Sequence, residues 1–450
     1  MNTQNKIING KKFYSIPFIL LILFGIIGLF FPEVHQNSSE HLNPGDIAWL
    51  LTASGLVMLM TPGLGFFYGG MVSPKNILST ILQSFISLGV ISVLWVVIGF
   101  SLAFGEDISG IIGNPFTYFM FQNVGGNPKP DFAPTIPLVL FAMFQLKFAI
   151  ITPALITGSF AERVRFSSYL LFITLWSLLI YSPLAHMTWH PEGLLRTKGV
   201  LDFAGGTVVH MSSGLAALAG AIFLGRRKIH LEGKHHEPAN IPYVLLGTGM
   251  LWFGWFGFNA GSALAANDQA ALAFTTTNTA SASAMLSWIF FDSIRGGKPT
   301  AMGACIGAVV GLVAITPAAG YVSIPSSILI GAIAAIISNT VVHWKSKSNL
   351  DDTLDVFPCH GIGGIVGMIA TAIFAKDVGL IFGKTETFIA HITALIGVGI
   401  FVFVGSYILY WFTNLIIPMR VLEEQEEIGL DLSQHGESAY TLDPFINKSI

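Results

Sequence analysis

DFAGGTVVHMSSGLAALAGAIFLG (202–225) and DVFPCHGIGGIVGMIATAIFA (355–375) decide how this chain is read. Each stretch sets a histidine, His210 or His360, in a Gly-rich apolar run long enough to cross much of a bilayer. Each has an aspartate on its amino-terminal side, Asp202 or Asp355. Ionisable side chains inside such runs are costly and mark function by default. Two of them, 150 residues apart, point to one paired site built by two halves of the chain.

Outward from these runs, the whole chain is apolar. Its 450 residues have a mean hydropathy of +0.69. Only 10% are charged, against about 25% in soluble domains. That excludes an ordinary water-soluble protein. The net charge of −3 and the lack of a basic run give no reason to expect nucleic acid. Two cysteines in apolar segments imply neither a disulfide framework nor a zinc site. Eleven segments of spanning length follow residue 46: 47–70, 77–104, 136–160, 166–185, 204–225, 241–261, 269–290, 300–317, 322–344, 357–375 and 388–417. They lack strand alternation, so the expected fold is an all-α polytopic membrane protein.

Lysine and arginine set the orientation. Sixteen of the 22 fall on one side, including Arg163, Arg165, Arg226, Arg227, Lys345 and Lys347. Five lie opposite, and Lys147 sits inside a span. The C-terminus is therefore expected in the cytoplasm and the 186–203 loop outside, in a multi-pass protein of the cell (inner) membrane. Residues 15–31, ended by Pro32 and Glu33, read either as a cleaved secretory signal or as a retained extra helix. The expected organisation is an N-terminal segment 1–46, a membrane domain 47–417 and a polar tail 418–450.

The histidines fall in the fifth and tenth spans. Two sets of five crossings have opposite orientations, which predicts an inverted repeat (spans 1–5 and 6–10) plus a final helix, with the site at the repeat interface. Glycine spacings such as Gly307/Gly311 and Gly363/Gly367 suit close helix packing. For the histidines, a proton relay or substrate pathway is the leading reading. Helix–helix hydrogen bonding, haem ligation and a quinone enzyme are the alternatives, but no further ligands cluster near them, so no metal or cofactor is expected. Asp202 reads as an N-cap, and Asp355 as a cap or loop contact at the internal end of its span.

The strings DFAGGTVVHMSSGLAALAGAIFLGRR, GWFGFNAGSALAAN (254–267), FAERVRF (160–166), AHMTW (185–189), DVFPCHGIGGIVG (355–367) and EEQEEIGLDLSQHGESAY (423–440) closely resemble the ammonium transporter family, the Amt/Mep/Rh proteins. The resemblance runs from about residue 45 to 440 and is nearer the bacterial Amt branch than the Rh branch. It implies eleven helices with an inverted five-helix repeat, a homotrimer with one pore per subunit, and transport rather than enzyme activity. Carried over position by position, it implies pore histidines at His210 and His360 and an essential aspartate at Asp202. It also implies an outer vestibule with Trp189, Ser262 and Phe144, and a gate of Phe148 and Phe258. With 36 phenylalanines and 9 tryptophans, only motif position separates these aromatics from ordinary core residues.

The expected substrate is ammonium or ammonia, with methylammonium as a candidate. Ammonium would be recruited by the aromatics and Ser262, lose its proton near the Phe gate, and pass as ammonia beside the histidines while the proton travels separately. Two rival readings are an Rh-like electroneutral gas channel and an ammonium sensor. The tail resembles the family's regulatory segment, and in bacterial relatives a PII-type signal protein plugs the cytoplasmic exits. Two features depart from the pattern. Lys147 precedes the gate and is expected to point to a helix or subunit interface. The loop HPEGLLRTKG (190–199) is one residue longer than in familiar bacterial members.

Overall fold

The computed structural model describes residues 10–31, 41–234 and 237–440. Among the described residues, eleven long helices succeed one another from Pro44 onward: Pro44–Met71, Ile77–Phe104, Leu138–Phe160, 166–189, Gly206–Leu224, Ile241–Gly261, Asp268–Ile294, Ala301–Ile315, Ile324–Ser346, Phe357–Phe374 and Glu386–Ile416. They are called spans one to eleven below. Among the described residues, nine spans are long and apolar enough to cross a membrane by length and composition. Ala301–Ile315 is a shorter apolar helix. Asp268–Ile294 is long, but TTTNTASAS (275–283) dilutes its hydropathy.

The starts follow local chemistry. Asn43, Asn240, Asn267, Thr300 and Ser323 accept from the first free N–H groups of spans one, six, seven, eight and nine. Proline opens three of these helices, where its missing N–H costs nothing. The third and fifth spans are the most enclosed, with 83% and 78% of their apolar windows buried, and the eleventh is peripheral at 33%. The molecule is therefore built around the third and fifth spans, and His210 lies on the fifth.

The inverted repeat is visible at the crossing of spans five and ten. Each begins with a π-helical turn, Gly206–Met211 or Phe357–Ile362, a feature that often accompanies functional sites. A Cβ on Gly214, four residues past His210, would lie 2.1 Å from the amide N of Gly361. A Cβ on Gly364, four residues past His360, would lie 2.9 Å from the amide N of Met211. The contact is reciprocal: each helix seats its glycine against the residue after the other's histidine.

The matching aspartates differ from the sequence reading. Asp202 lies eight residues before His210, and the residue eight before His360 is Asp352, not Asp355. Asp352 accepts from Val356 N at 3.2 Å and Phe357 N at 2.8 Å. Asp355 has a positive φ of 58° that turns its side chain elsewhere, to a 2.6 Å ion pair with Lys345.

The face assigned outside by charge, called outer here, carries a short hairpin, Asp107–Ile108 with Ile112–Gly113. The helix Gly10–Gly28 ends beside this face, where Phe31 meets Phe119 edge-on at 5.4 Å. On the inner face, Arg227 pairs with Glu162 (2.6 Å) and Asp351 (2.8 Å). Burial pushes the Asp351 carboxyl up, but hydrogen bonds from Arg227 and the charge of Arg163 outweigh it and hold the group well below the usual range. Burial pulls the enclosed Arg163 guanidinium down to about 10. The tail lies over these loops. Glu426 accepts from Lys228 N and Arg420 Nη2, both at 2.8 Å, and Asp431 accepts from Leu78 N and Ser79 N at the start of span two.

Candidate functional site: a gated twin-histidine passage

An outer cavity of about 190 Å³ opens between the spans. Its lining includes Phe148, Trp189, Asp202 and Ser262, four of the residues singled out in the sequence, together with Gln145 and Tyr321. The Trp189 indole N–H donates to the Asp202 carbonyl at 3.1 Å, which fixes the ring plane. The Asp202 carboxylate faces the start of span five. It accepts from the amides of Gly205 (2.8 Å), Gly206 (2.6 Å) and Thr207 (2.8 Å), and from the Thr207 hydroxyl (2.5 Å). Gly205 makes this cap possible, since its φ of 119° suits glycine alone. Asp202 is thus an anchor that ties the indole to the helix bearing His210. The Ser262 hydroxyl donates to Phe258 O at 2.8 Å, which leaves its oxygen able to accept.

The cavity floor is aromatic. The rings of Phe148 and Phe258 meet at 4.3 Å, and Phe148 stands edge-on to Trp189 at 5.8 Å. Phe144 is placed differently from the expected vestibule wall. It is wholly buried, edge-on to Phe148 at 5.0 Å, and backs that ring while Phe141 and Gln145 line the cavity. Lys147 is half-buried and lines neither cavity, as its rotation of about 100° from Phe148 on the helix allows.

Beneath Phe258 lies a second cavity of about 10 Å³, room for roughly one water-sized molecule. His210, His360, Trp255 and Phe258 meet apolar side chains such as Ile151 and Leu251 around it. The Nδ1 atoms of His210 and His360 are 3.4 Å apart. His210 also stacks on Trp255, with centroids at 5.3 Å and planes at 22°.

Thr316 decides the protonation pattern. Its hydroxyl donates to Leu312 O at 2.8 Å and accepts the Trp255 indole N–H at 2.9 Å. Toward His210 Nε2, 3.3 Å away, it can therefore only accept. His210 carries its proton on Nε2, and its Nδ1 is an acceptor. In the neutral pair His360 must then donate from Nδ1, which leaves His360 Nε2 bare. Thr316→Val removes the acceptor for two buried N–H groups, each costing about 1–3 kcal/mol when unpaired. A lower thermal midpoint and slower transport are expected from that variant; an unchanged midpoint would show that Thr316 does not hold the pair.

Trp255 and Thr316 escaped the sequence reading. Trp255 lies inside a quoted string, GWFGFNAGS, one helical turn before Phe258, and that spacing was its available signal. Thr316 had only its place as a lone hydroxyl in VAITPAA (313–319), at the end of an apolar helix.

The chain has known relatives. Residues 48–440 match the model of the Ammonium Transporter Family. The ammonium transporter of Aquifex aeolicus is 46% identical over 426 residues, covering 93% of this chain and 98% of the relative. That of Bacillus subtilis is 46% identical over 408 residues, covering 88% and 98%. The crystal structure of Saccharomyces cerevisiae Mep2 superposes with a TM-score of 0.83 at 34% identity, covering 90% of this chain and 93% of Mep2. With the family model matched over most of its length and relatives at 46% identity, the chain belongs to the ammonium transporter family.

Proposed function

We propose that this protein carries ammonium across a cell membrane by separating it into ammonia and a proton at the Phe148/Phe258 gate. One observation carries the reading: a polar, aromatic cavity is divided by two phenyl rings from an apolar cavity with room for one small molecule beside two histidines.

Ammonium has four N–H donors and a positive charge. The Trp189 face attracts the charge for about 0.5–2 kcal/mol. Ser262 accepts a hydrogen bond, and Asp202 adds negative potential. Potassium resembles ammonium in size and charge, so the vestibule alone discriminates poorly. Selection comes from what potassium lacks, a removable proton. An unpaired ion in the lower cavity would cost on the order of tens of kcal/mol, and ammonia avoids that cost. The bare His360 Nε2 and the shared Nδ1 contact then offer the proton a separate path. A proton taken up at His360 Nε2 releases the Nδ1 proton across 3.4 Å to His210, so His360 keeps one proton, now on Nε2, and the charge passes to His210.

The proposed organisation is an N-terminal segment 1–46, a transport domain 47–417 and a cytoplasmic tail 418–450, in a homotrimer of the inner membrane. The tail's contacts with the loops at Lys75 and Lys228 support a regulatory role and a surface for a PII-type partner.

Solid-supported-membrane electrophysiology on proteoliposomes tests this reading. Ammonium pulses are expected to evoke current and potassium pulses none. Equal potassium currents would overturn it, and ammonia flux without current would favour the electroneutral channel. Trp189→Leu should raise half-saturating ammonium about 2- to 30-fold, the span of the cation–π contribution; an unchanged value would remove Trp189 from recruitment.

A further inference from the structure

We propose that Asp107, His186 and His190 form a binding site for a zinc-class transition-metal ion on the outer face, beside the substrate vestibule. Their ligand atoms all lie within 4.8 Å of one another. They come from two separate parts of the chain, the hairpin at 107–113 and the end of span four.

His186 is already set for coordination. Its Nδ1 lies 3.0 Å from Ala103 O, which can only accept, so Nδ1 carries the hydrogen. That leaves Nε2 as the coordinating atom, 2.8 Å from Asp107 Oδ1. An imidazole fixed through one nitrogen to a backbone carbonyl, with the other facing a carboxylate, is the usual outer support of a metal-bound histidine. A bound ion takes the place of the contact between His186 Nε2 and Asp107 Oδ1. Asp107 is held by the Gly110 amide, which donates to both its oxygens, at 2.7 and 3.0 Å.

His190 lies four residues on and stacks over His186, with centroids at 4.3 Å and planes at 16°. Parallel rings cannot aim two lone pairs at one ion, so metal binding turns the His190 ring out of the stack. Among the described residues, the ring's one hydrogen bond is a 3.2 Å contact from the Glu192 amide, which opposes the turn weakly. Two imidazoles and one carboxylate suit zinc, nickel or copper better than calcium or magnesium. Three protein ligands leave a position for water.

Access and consequence follow from the surroundings. His190 borders a cavity of about 350 Å³ that also carries Glu106, Asp131 and Glu192 against Lys129, an acidic excess that draws divalent cations. Asp131 and Phe132 line both this cavity and the vestibule. Phe132 meets the His190 ring edge-on at 5.4 Å, and His190 directly follows Trp189. Turning His190 therefore disturbs the vestibule wall, and external zinc slows ammonium entry.

The binding test does not depend on the transport reading. Tag-free, chelator-stripped full-length protein is titrated calorimetrically with zinc. About one ion per chain is expected, with two imidazole ligands at about 2.0–2.1 Å by zinc-edge absorption spectroscopy. His190→Ala and Asp107→Asn should each weaken binding at least about tenfold, and magnesium should not compete. The absence of stoichiometric binding, a shell without imidazole, or full affinity in both variants overturns the site. External zinc should lower ammonium flux in the native protein and not in His190→Ala; zinc-loaded protein with undiminished flux overturns the control of entry while leaving the transport reading intact.

Discussion

Replacing His210 and His360 together with leucine is expected to reduce the ammonium-evoked current at least about a hundredfold, the usual scale of a lost proton-transfer group. The two rings supply the polar nitrogens among the residues lining the lower cavity, apart from the Trp255 indole, whose N–H is already given to Thr316. With leucine in both places a proton leaving the gate would meet only apolar surface. The fold should survive, because the Trp255–Thr316–Leu312 hydrogen bonds do not need either histidine. Ammonia itself needs no imidazole, so a light-scattering assay can show flux persisting after current is lost. A full ammonium current in the double variant, measured on solid-supported membranes, would sink the relay.

Gly214→Ala is expected to be among the most damaging single-methyl additions to this protein. The new Cβ would stand 2.1 Å from the amide N and 2.2 Å from the Cα of Gly361, both backbone atoms that cannot rotate away. Spans five and ten would have to part where the two histidines meet. Overpacking of a core commonly costs about 1–3 kcal/mol, and a backbone clash belongs at or above the top of that range. Gly364→Ala should be milder, with its nearest atoms at 2.9 Å, and Gly397→Ala, which meets nothing within 4 Å, should be neutral. Thermal stability by fluorescence-detected size exclusion reads this order directly. A Gly214 variant as stable as the Gly397 control would contradict the close crossing.

The sequence made the spans legible because apolar length survives any packing detail. The starts of spans one and six, for instance, were each predicted to within three residues of Pro44 and Ile241. It also exposed His210 and His360, since charge-bearing groups stand out in such runs. Ordering the aspartates was harder. Asp351, Asp352 and Asp355 crowd one loop, and only the backbone turn at Asp355 leaves the capping place to Asp352. Thr316 was invisible because its importance lies in three bonds at once, from Trp255, to Leu312 and with His210. Phe144 and Phe148 are one helical turn apart and equal in composition, and only the packing of Gly261 against Phe144 decides which ring backs the other. The Asp107–His186 contact joins residues 79 apart, beyond the reach of any local pattern.

The reciprocal glycine seats also bear on how the protein is made. Gly214 enters the membrane with span five, long before its counterpart Gly361 has been synthesised. Until span ten arrives, the first half holds one member of the His210/His360 pair and an unfilled seat at Gly214. The passage is completed only at the end of synthesis, when the second half closes the seat and supplies the second ring.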